Sequence, residues 1–401
     1  MRKLLGLLVV CAAAGVCADA VESTLRALQR GGHVVVMRHA SSPKEPPAEG
    51  KAVAGNVNGE RQLDVAGRRG AAEMGIALRA RGIAVSEVLT SPTFRARETA
   101  LYAQLPMPKV QDELGDGGMS MQDTSAGQAR WLREYVRKTP RGGNAILITH
   151  QPNMAAAFPQ VSPQAADGES LVFRAGGKEG YTLVGRIGIG EWGPAEAAPE
   201  AVTFTTEDGA EIHGEVYGGG ERGVVLAHGG RFNKETWIPQ ARTLAAAGFR
   251  VLAFDFRGYG ESTGPKAEEP ALYQDVLGAV RYLKSQGART VAVVGGSMGG
   301  GATGEALEHQ KAGEIDRVVF LGAHPDGDAT KMAGRKLYIL CRDDVQGENT
   351  PRLPGIQKQF EAVPQPKEMI VLECAEHAQF IFQSRQAGRL TRELLRFLLA
   401  P

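Results

Sequence analysis

The 401-residue chain is poor in cysteine and aromatic residues and has almost no net charge. Aromatic residues make up 6% of it, and 46 basic residues against 45 acidic ones leave a formal charge of +1. A nucleic-acid-binding surface requires a local excess of Lys and Arg, and no segment has one, so nucleic acid is not an expected partner. CxxC and HExxH motifs are absent from the sequence, so we predict no structural metal. No cofactor is expected.

One apolar run stands at the N-terminus. Arg2 and Lys3 precede an uncharged segment over residues 4–16, and small residues follow up to Ala20. About 13 apolar residues are too few to span a bilayer core of roughly 30 Å. The pattern is typical of a cleaved secretory signal. We therefore expect removal of residues 1–20, a periplasmic or secreted protein, and no stable membrane insertion.

The remaining sequence predicts two α/β domains. The segment around residues 188–204 is rich in Gly, Pro, Ala and Glu and lacks hydrophobic periodicity, which indicates a linker. We place a first domain at 21–190, the linker at 191–200 and a second domain at 201–401. In the second domain, short apolar strands alternate with helical patterns, which predicts a mainly parallel sheet. Each domain is expected to have three layers, with helices on both faces of the sheet.

Two histidines and two arginines of the first domain follow apolar strands or begin a helix. Arg38 and His39 follow a strand over 33–37, His150 follows another over 144–149, and Arg95 lies in the first turn of a helix. A guanidinium group forms bidentate, charge-assisted hydrogen bonds with phosphate. An imidazole can attack phosphorus and carry the phosphoryl group, while nearby cations stabilise the oxygens.

These residues resemble the histidine phosphatase superfamily over about 21–190, in its compact branch. Arg38-His39 resembles the R-H-G motif, LTSPTFRARETA (89–100) the S-P-x-x-R-A-x-x-T-A block, and ITHQPNM the segment with the second histidine. The resemblance implies that His39 is the phosphorylated nucleophile. It implies a phosphate pocket formed by Arg38, Arg95 and His150.

Two positions depart from the pattern of that family, and the identity of its acid is open. Ala40 stands where the family has Gly, and Gln151 where Gly is common. Glu113 lies where the family often keeps the acid that protonates the leaving group, and Asp116 is close by. The compact branch can also lack a dedicated acid.

The second domain contains a G-x-S-x-G motif, residues 295–299, between a strand and a helix. Such a sharp turn exposes the serine hydroxyl at the end of the sheet, here that of Ser297. The backbone N–H of Met298 would then face a developing oxyanion. Asp343 and Asp344 end a later strand and His377 follows the last one. A dinucleotide-binding loop is the alternative for a Gly-rich turn, but the order Ser, Asp, His is that of serine hydrolases.

These residues resemble the α/β-hydrolase superfamily over about 200–401, without a cap. The resemblance implies Ser297 as nucleophile, His377 as general base and Asp344, in preference to Asp343, as its orienting acid. The second oxyanion N–H would come from Gly230, with Arg231 as the alternative. His228 would shape that loop. The implied reaction is acyl transfer from a small or exposed carboxylic ester or thioester.

Cys341 and Cys374 are left after removal of the signal, which holds the other two cysteines. Both end predicted neighbouring strands. Either they form a disulfide that links the Asp344 and His377 loops, or they are buried free thiols.

Three functions remain open from the sequence. The first is a bifunctional exported hydrolase with small-molecule ester and phosphate substrates. The second is a serine hydrolase whose N-terminal domain only binds phosphate. The third is a nonenzymatic envelope-binding protein.

Overall fold

The computed structural model describes residues 19–44, 60–116, 126–162, 164–194, 197–347 and 349–401. The chain divides into two compact units, Met1–Glu196 and Ala197–Pro401. Most of the predicted signal, residues 1–18, lies outside the described residues. Across the described ranges, no helix has the length and hydropathy of a membrane span.

The N-terminal unit is built on a six-stranded sheet of order β3-β2-β4-β1-β5-β6. Its strands are β1 (Val34–Arg38), β2 (Val85–Thr90), β3 (Lys109–Val110), β4 (Asn144–Thr149), β5 (Ser170–Ala175) and β6 (Tyr181–Ile187). Its helices are α1 (residues 19–29), α2 (Val65–Ala80), α3 (Phe94–Tyr102), α4 (Ala126–Tyr135) and α5 (Gln151–Ala157). Apolar residues of α1, α2 and α3 pack on one face of the sheet and those of α4 and α5 on the other.

The two central strands of this sheet bring the predicted histidines to one edge. β1 and β4 are continuous apolar segments, as expected for strands covered on both faces. They pair in parallel with Arg38 opposite Thr149, and the His39 N–H donates to the Thr149 carbonyl at 2.9 Å. His39 and His150, each the next residue of its strand, therefore leave the sheet side by side.

The C-terminal unit is built on an eight-stranded sheet of order β16-β13-β12-β11-β9-β10-β8-β7. Its strands are β7 (Glu200–Thr205), β8 (Glu211–Tyr217), β9 (Arg222–Ala227), β10 (Phe249–Phe254), β11 (Thr290–Gly296), β12 (Arg317–Leu321), β13 (Arg335–Cys341) and β16 (Lys367–Leu372), beside a small hairpin of β14 (Val345–Gln346) and β15 (Thr350–Pro351). Its helices are α6 (Ile238–Ala246), α7 (Leu272–Ser285), α8 (Met298–His309), α9 (Leu353–Ala362) and α10 (Ala387–Leu399). All strands from β9 to β13, together with β16, run parallel in the large sheet.

The boundary between the two units, Glu196 to Ala197, falls inside the predicted linker of 191–200, but packed structure enters the segment from both sides. Residues 200–204 belong to β7, an antiparallel edge strand paired with β8, and Phe204 packs in the core while its neighbours are exposed. Trp192, also placed in the linker, is 1% exposed in the core of the N-terminal unit. β7 is short, alternates in polarity and follows a segment rich in Pro, Ala and Glu. Its composition therefore resembles that of a loop, which explains why the sequence pattern predicted a linker here.

Candidate active site

The serine of the G-x-S-x-G motif lies on a strained turn between β11 and α8. Ser297 has φ 49° and ψ −115°, a conformation that costs a non-glycine residue free energy. The flanking backbone is crowded. A Cβ on Gly295 would lie 2.5 Å from the Gly299 carbonyl oxygen, and one on Gly299 2.4 Å from the Ala227 carbonyl oxygen. Glycine is therefore required at both positions for the serine to stand at this turn.

The structure brings three of the predicted residues into hydrogen-bond contact. His377 Nε2 lies 2.8 Å from the Ser297 hydroxyl oxygen, and His377 Nδ1 lies 2.7 Å from Asp344 Oδ2. With its Nδ1–H donated to the carboxylate, the imidazole presents an unprotonated Nε2 to the hydroxyl. Asp344 is buried, whereas Asp343 is exposed and its backbone N–H donates to the Cys374 carbonyl.

An arginine that the sequence analysis missed lies beside the same carboxylate. Arg352 Nε is 3.4 Å from Asp344 Oδ1, the oxygen that faces away from the histidine. The Arg352 N–H also donates to the Asp344 carbonyl at 2.9 Å. Arg352 is the residue immediately before α9 and directly follows the β14–β15 hairpin, so no motif near Asp344 indicates it. Its positive charge therefore faces the carboxylate that orients the imidazole.

A disulfide joins Cys341 to Cys374, with an S–S distance of 2.06 Å. Cys341 ends β13 and pairs with Leu372 of β16. Each cysteine precedes a predicted catalytic residue by three positions, Asp344 and His377 respectively. The bond therefore connects the two loops whose relative position sets the histidine–aspartate contact.

The glycine loop after β9 lies beside the serine turn. A Cβ on Gly230 would be 3.6 Å from Met298 Sδ, so the two residues predicted to supply oxyanion N–H groups are neighbours. Among the described residues, neither of these N–H groups donates to a protein acceptor. Arg231, the alternative donor, has an exposed side chain.

His228 holds this loop in place through two hydrogen bonds. Its Nε2 accepts a hydrogen bond from the Phe256 N–H at 3.2 Å, so the ring proton is on Nδ1, which donates to the Gly229 carbonyl at 2.9 Å. Burial lowers its pKa, which favours this neutral form. The 3-10 turn that follows, Lys234–Trp237, is held by a buried ion pair in which Lys234 Nζ lies 2.6 Å from Asp255 Oδ2.

The N-terminal unit holds a second cluster of predicted site residues. Arg95 Nε donates to His39 Nε2 at 3.2 Å, and Arg95 Nη2 donates to His150 Nδ1 at 3.2 Å. His39 Nδ1 lies 2.8 Å from the Ala40 carbonyl oxygen. Burial and the charge of Arg95 lower the pKa of His39 to about 3, so the ring is neutral at pH 7, with its proton on Nδ1 and a lone pair on Nε2.

The carboxylate in this cluster is Asp116 and not Glu113. Asp116 pairs with Arg95 and lies 3.4 Å from His150 Nδ1. Glu113 lies in a short 3-10 turn, Asp112–Leu114, and its carboxylate accepts a hydrogen bond from the Gln111 side chain. That turn buries Leu114 and leaves Glu113 half-buried, a backbone detail that motif position does not reveal.

The remaining cations of this cluster are Arg38 and Arg61. Arg38 pairs with Asp167 at 2.6 Å and donates to the Ala165 carbonyl at 2.7 Å. Arg61, which the sequence analysis missed, lies close enough for its charge to contribute to the lowered pKa of His39. The cluster thus combines two neutral imidazoles with three guanidinium groups and the carboxylates of Asp116 and Asp167. The guanidinium groups outnumber the carboxylates, an arrangement suited to an anion.

Comparison with known proteins supports the fold of the second unit. Residues 223–382 match the family model of the alpha/beta hydrolase fold, and the C-terminal region has this fold. That match lies wholly in the C-terminal unit. The histidine phosphatase resemblance of the N-terminal unit has no support from the comparisons.

The similar proteins include haloperoxidases and esterases. A non-heme haloperoxidase of Rhodococcus erythropolis is 33% identical over 123 residues, 30% of this chain and 43% of the relative. The non-heme chloroperoxidase CPO-A1 of Kitasatospora aureofaciens is 34% identical over 122 residues, again 30% and 43%. The chain thus spans less than half the length of these curated relatives. An esterase structure from Exiguobacterium antarcticum aligns with a TM-score of 0.43 at 16% identity, covering 50% of this chain and 100% of the esterase.

Proposed function

We propose that this protein is a serine hydrolase that cleaves carboxylic esters or thioesters by acyl transfer. The observation that carries the proposal is the position of His377 between Ser297 and Asp344, with hydrogen-bond distances of 2.8 and 2.7 Å. A serine hydroxyl is a weak nucleophile until a base removes its proton. The match of residues 223–382 to the alpha/beta hydrolase fold supports the same class of enzyme.

In the acylation step, Ser297 Oγ attacks the carbonyl carbon while His377 Nε2 takes the hydroxyl proton. The carbonyl π electrons move to oxygen, which becomes an oxyanion facing the N–H groups of Met298 and Gly230. Asp344 stabilises the imidazolium that forms. Collapse of the intermediate breaks the bond to the leaving group, which receives the proton from His377.

In the deacylation step, water replaces the leaving group. His377 Nε2 accepts a proton from the water as its oxygen attacks the acyl carbon. The second oxyanion collapses, the bond to Ser297 Oγ breaks, and the serine recovers its proton from the imidazolium. The products are the free acid and the unmodified enzyme.

The chain between the serine and the aspartate supports small or exposed substrates. Residues 298–343 contain α8, β12, one 3-10 turn and β13. All of these belong to the hydrolase core, so this part of the chain has no room for a cap. We therefore expect short acyl chains to be hydrolysed well.

The test is hydrolysis of p-nitrophenyl acetate by Ser297→Ala. We expect kcat to fall by at least about a thousandfold, since removing the nucleophile of a triad leaves only binding and oxyanion stabilisation. Ser285→Ala is the matched control, because its exposed hydroxyl donates to the Tyr282 carbonyl and accepts from the Gln286 side chain, both at the end of α7. Equal activity of Ser297→Ala and wild type would refute the proposal.

A second candidate function, hydrolysis of phosphate monoesters at the N-terminal cluster, is favoured by one observation. The contact of His39 Nδ1 with the Ala40 carbonyl leaves the lone pair on Nε2, where it accepts a hydrogen bond from Arg95 Nε at 3.2 Å. For Nε2 to attack phosphorus, Arg95 would exchange this hydrogen bond for one to the phosphate. The P–N bond would form as the ester P–O bond breaks, and water would then hydrolyse the phosphohistidine.

Hydrolysis of an aryl phosphate by His39→Ala tests this second function. We expect loss of phosphatase activity with ester hydrolysis unchanged. His213→Asn, a partly exposed histidine of the other unit, is the control. If wild type binds inorganic phosphate without hydrolysing the aryl phosphate, the N-terminal unit is a phosphate-binding unit only.

A further inference from the structure

The oxyanion donor of the glycine loop needs to be held in place. Gly230 has no side chain, and glycine loses more conformational freedom on ordering than any other residue. An oxyanion donor acts through preorganisation, because an N–H that must reorient during the reaction contributes less. The direction of the Gly230 N–H depends on the two peptide planes that flank this residue.

The peptide plane before Gly230 is fixed by two donors. The Gly229 carbonyl accepts from His228 Nδ1 at 2.9 Å and from the Phe232 N–H at 3.0 Å. In a trans peptide the N–H points opposite to the carbonyl. The Gly230 N–H is therefore turned away from this pair of donors.

The peptide plane after Gly230 is fixed by one side chain. The Tyr259 hydroxyl donates to the Gly230 carbonyl at 3.0 Å. Its oxygen is also 3.6 Å from Met298 Sδ, and its ring packs edge-on against His228, with centroids 4.8 Å apart. Tyr259 thus contacts both proposed oxyanion residues and the histidine that shapes the loop.

We propose that Tyr259 is a positioning residue of the oxyanion hole, which it assembles by holding the Gly230 carbonyl. The inference rests on the proposed serine hydrolase function. With both flanking planes held, the φ and ψ of Gly230 are set, and its N–H stays aligned with that of Met298. Tyr259 does not touch the reacting atoms, so its effect is on the stability of the tetrahedral intermediate and not on substrate binding.

The experiment compares Tyr259→Phe with wild type on p-nitrophenyl acetate. The phenyl ring keeps the packing on His228 and removes only the hydroxyl. Removing a whole oxyanion donor costs roughly 10²- to 10³-fold in kcat, and loosening one should cost less. We expect about a tenfold fall in kcat and a change in KM of less than about twofold.

A trifluoromethyl ketone inhibitor separates positioning from general structural damage. It adds reversibly to the serine and forms a tetrahedral oxyanion, so its Ki should weaken in Tyr259→Phe by the same factor as kcat. Tyr273→Phe is the control. Its hydroxyl accepts a hydrogen bond from Gln274, so this variant also loses one hydrogen bond, but away from the loop.

The outcomes distinguish the role of Tyr259 from the proposed serine hydrolase function. Wild-type activity that depends on Ser297, with unchanged kcat and Ki in Tyr259→Phe, would overturn the role of Tyr259 alone. A fall in kcat without a matching change in Ki would also overturn it. Absence of Ser297-dependent activity in wild type would overturn the proposed function itself.

Discussion

Loss of the Cys341–Cys374 disulfide should both destabilise the C-terminal unit and lower its activity. The bond links residues 33 positions apart in the sequence. Chain-entropy arguments give a stabilisation of about 3.7 kcal/mol for a loop of that length. For a unit of about 200 residues, roughly 2–4 °C of Tm per kcal/mol predicts a fall of about 7–15 °C.

The effect on activity follows from where the bond lies. Once it is broken, the Asp344 and His377 loops remain joined by two backbone hydrogen bonds, from the Asp343 N–H to the Cys374 carbonyl at 3.0 Å and from the Arg342 N–H to the Leu372 carbonyl at 2.8 Å. Beside these lie the exposed Arg342–Glu373 ion pair and the His377–Asp344 hydrogen bond itself. Exposed ion pairs contribute little. We expect kcat to fall by about threefold to tenfold as the His377–Asp344 contact becomes less well held.

The assay measures thermal unfolding and p-nitrophenyl acetate turnover of wild type and of the Cys341→Ser/Cys374→Ser double variant, each with and without a phosphine reductant. Reductant should lower Tm and kcat of wild type to the values of the double variant and leave that variant unchanged. A double variant with wild-type Tm and kcat would refute the reasoning. So would an equal effect of the reductant on both proteins.

Three further predictions concern single side chains. Arg352→Ala should lower kcat about threefold to tenfold through weaker orientation of the His377–Asp344 pair, and Arg352→Lys should recover part of it; a kcat equal to wild type would contradict this. Asp116→Asn should slow hydrolysis of alkyl and aryl phosphates alike, by at least about tenfold, because the Asp116 carboxylate holds Arg95 in the cluster through an ion pair; Glu113→Gln, the control, should alter neither, and an unchanged rate in Asp116→Asn would contradict this role. Burial raises the pKa of Glu98 to about 7, so the folded protein favours the protonated carboxyl and is destabilised as pH rises from about 4.5 to 7. Over that range the free energy of unfolding of wild type should fall by up to roughly 3 kcal/mol relative to that of Glu98→Gln. Unfolding free energies that change in parallel with pH in the two proteins would contradict this.

The parts of the site that depend on strand order could be predicted from sequence. Parallel strands place their carboxyl ends at one edge, so Ser297, Asp344 and His377 were expected to meet there. The same rule placed His39 beside His150. In each case an apolar strand, a residue at its end and chain order were sufficient.

The parts that depend on side-chain direction could not be predicted. Arg352 and Tyr259 reach the site from loops whose course is set by a hairpin and a tight turn, and no motif connects them to the serine. Glu113 was expected at the position of the family's acid, yet Asp116 is the carboxylate that pairs with Arg95, because a single 3-10 turn decides which carboxylate points inward. Strand β7 was missed because only two of its residues face the core.

The most direct measurement of the central claim is covalent labelling of the protein with a fluorophosphonate, followed by peptide mass mapping. Such a probe reacts with a serine only when a base activates it. The account predicts one stoichiometric adduct on Ser297, absent in Ser297→Ala and strongly slowed in His377→Ala. No adduct, or an adduct on another serine, would contradict it.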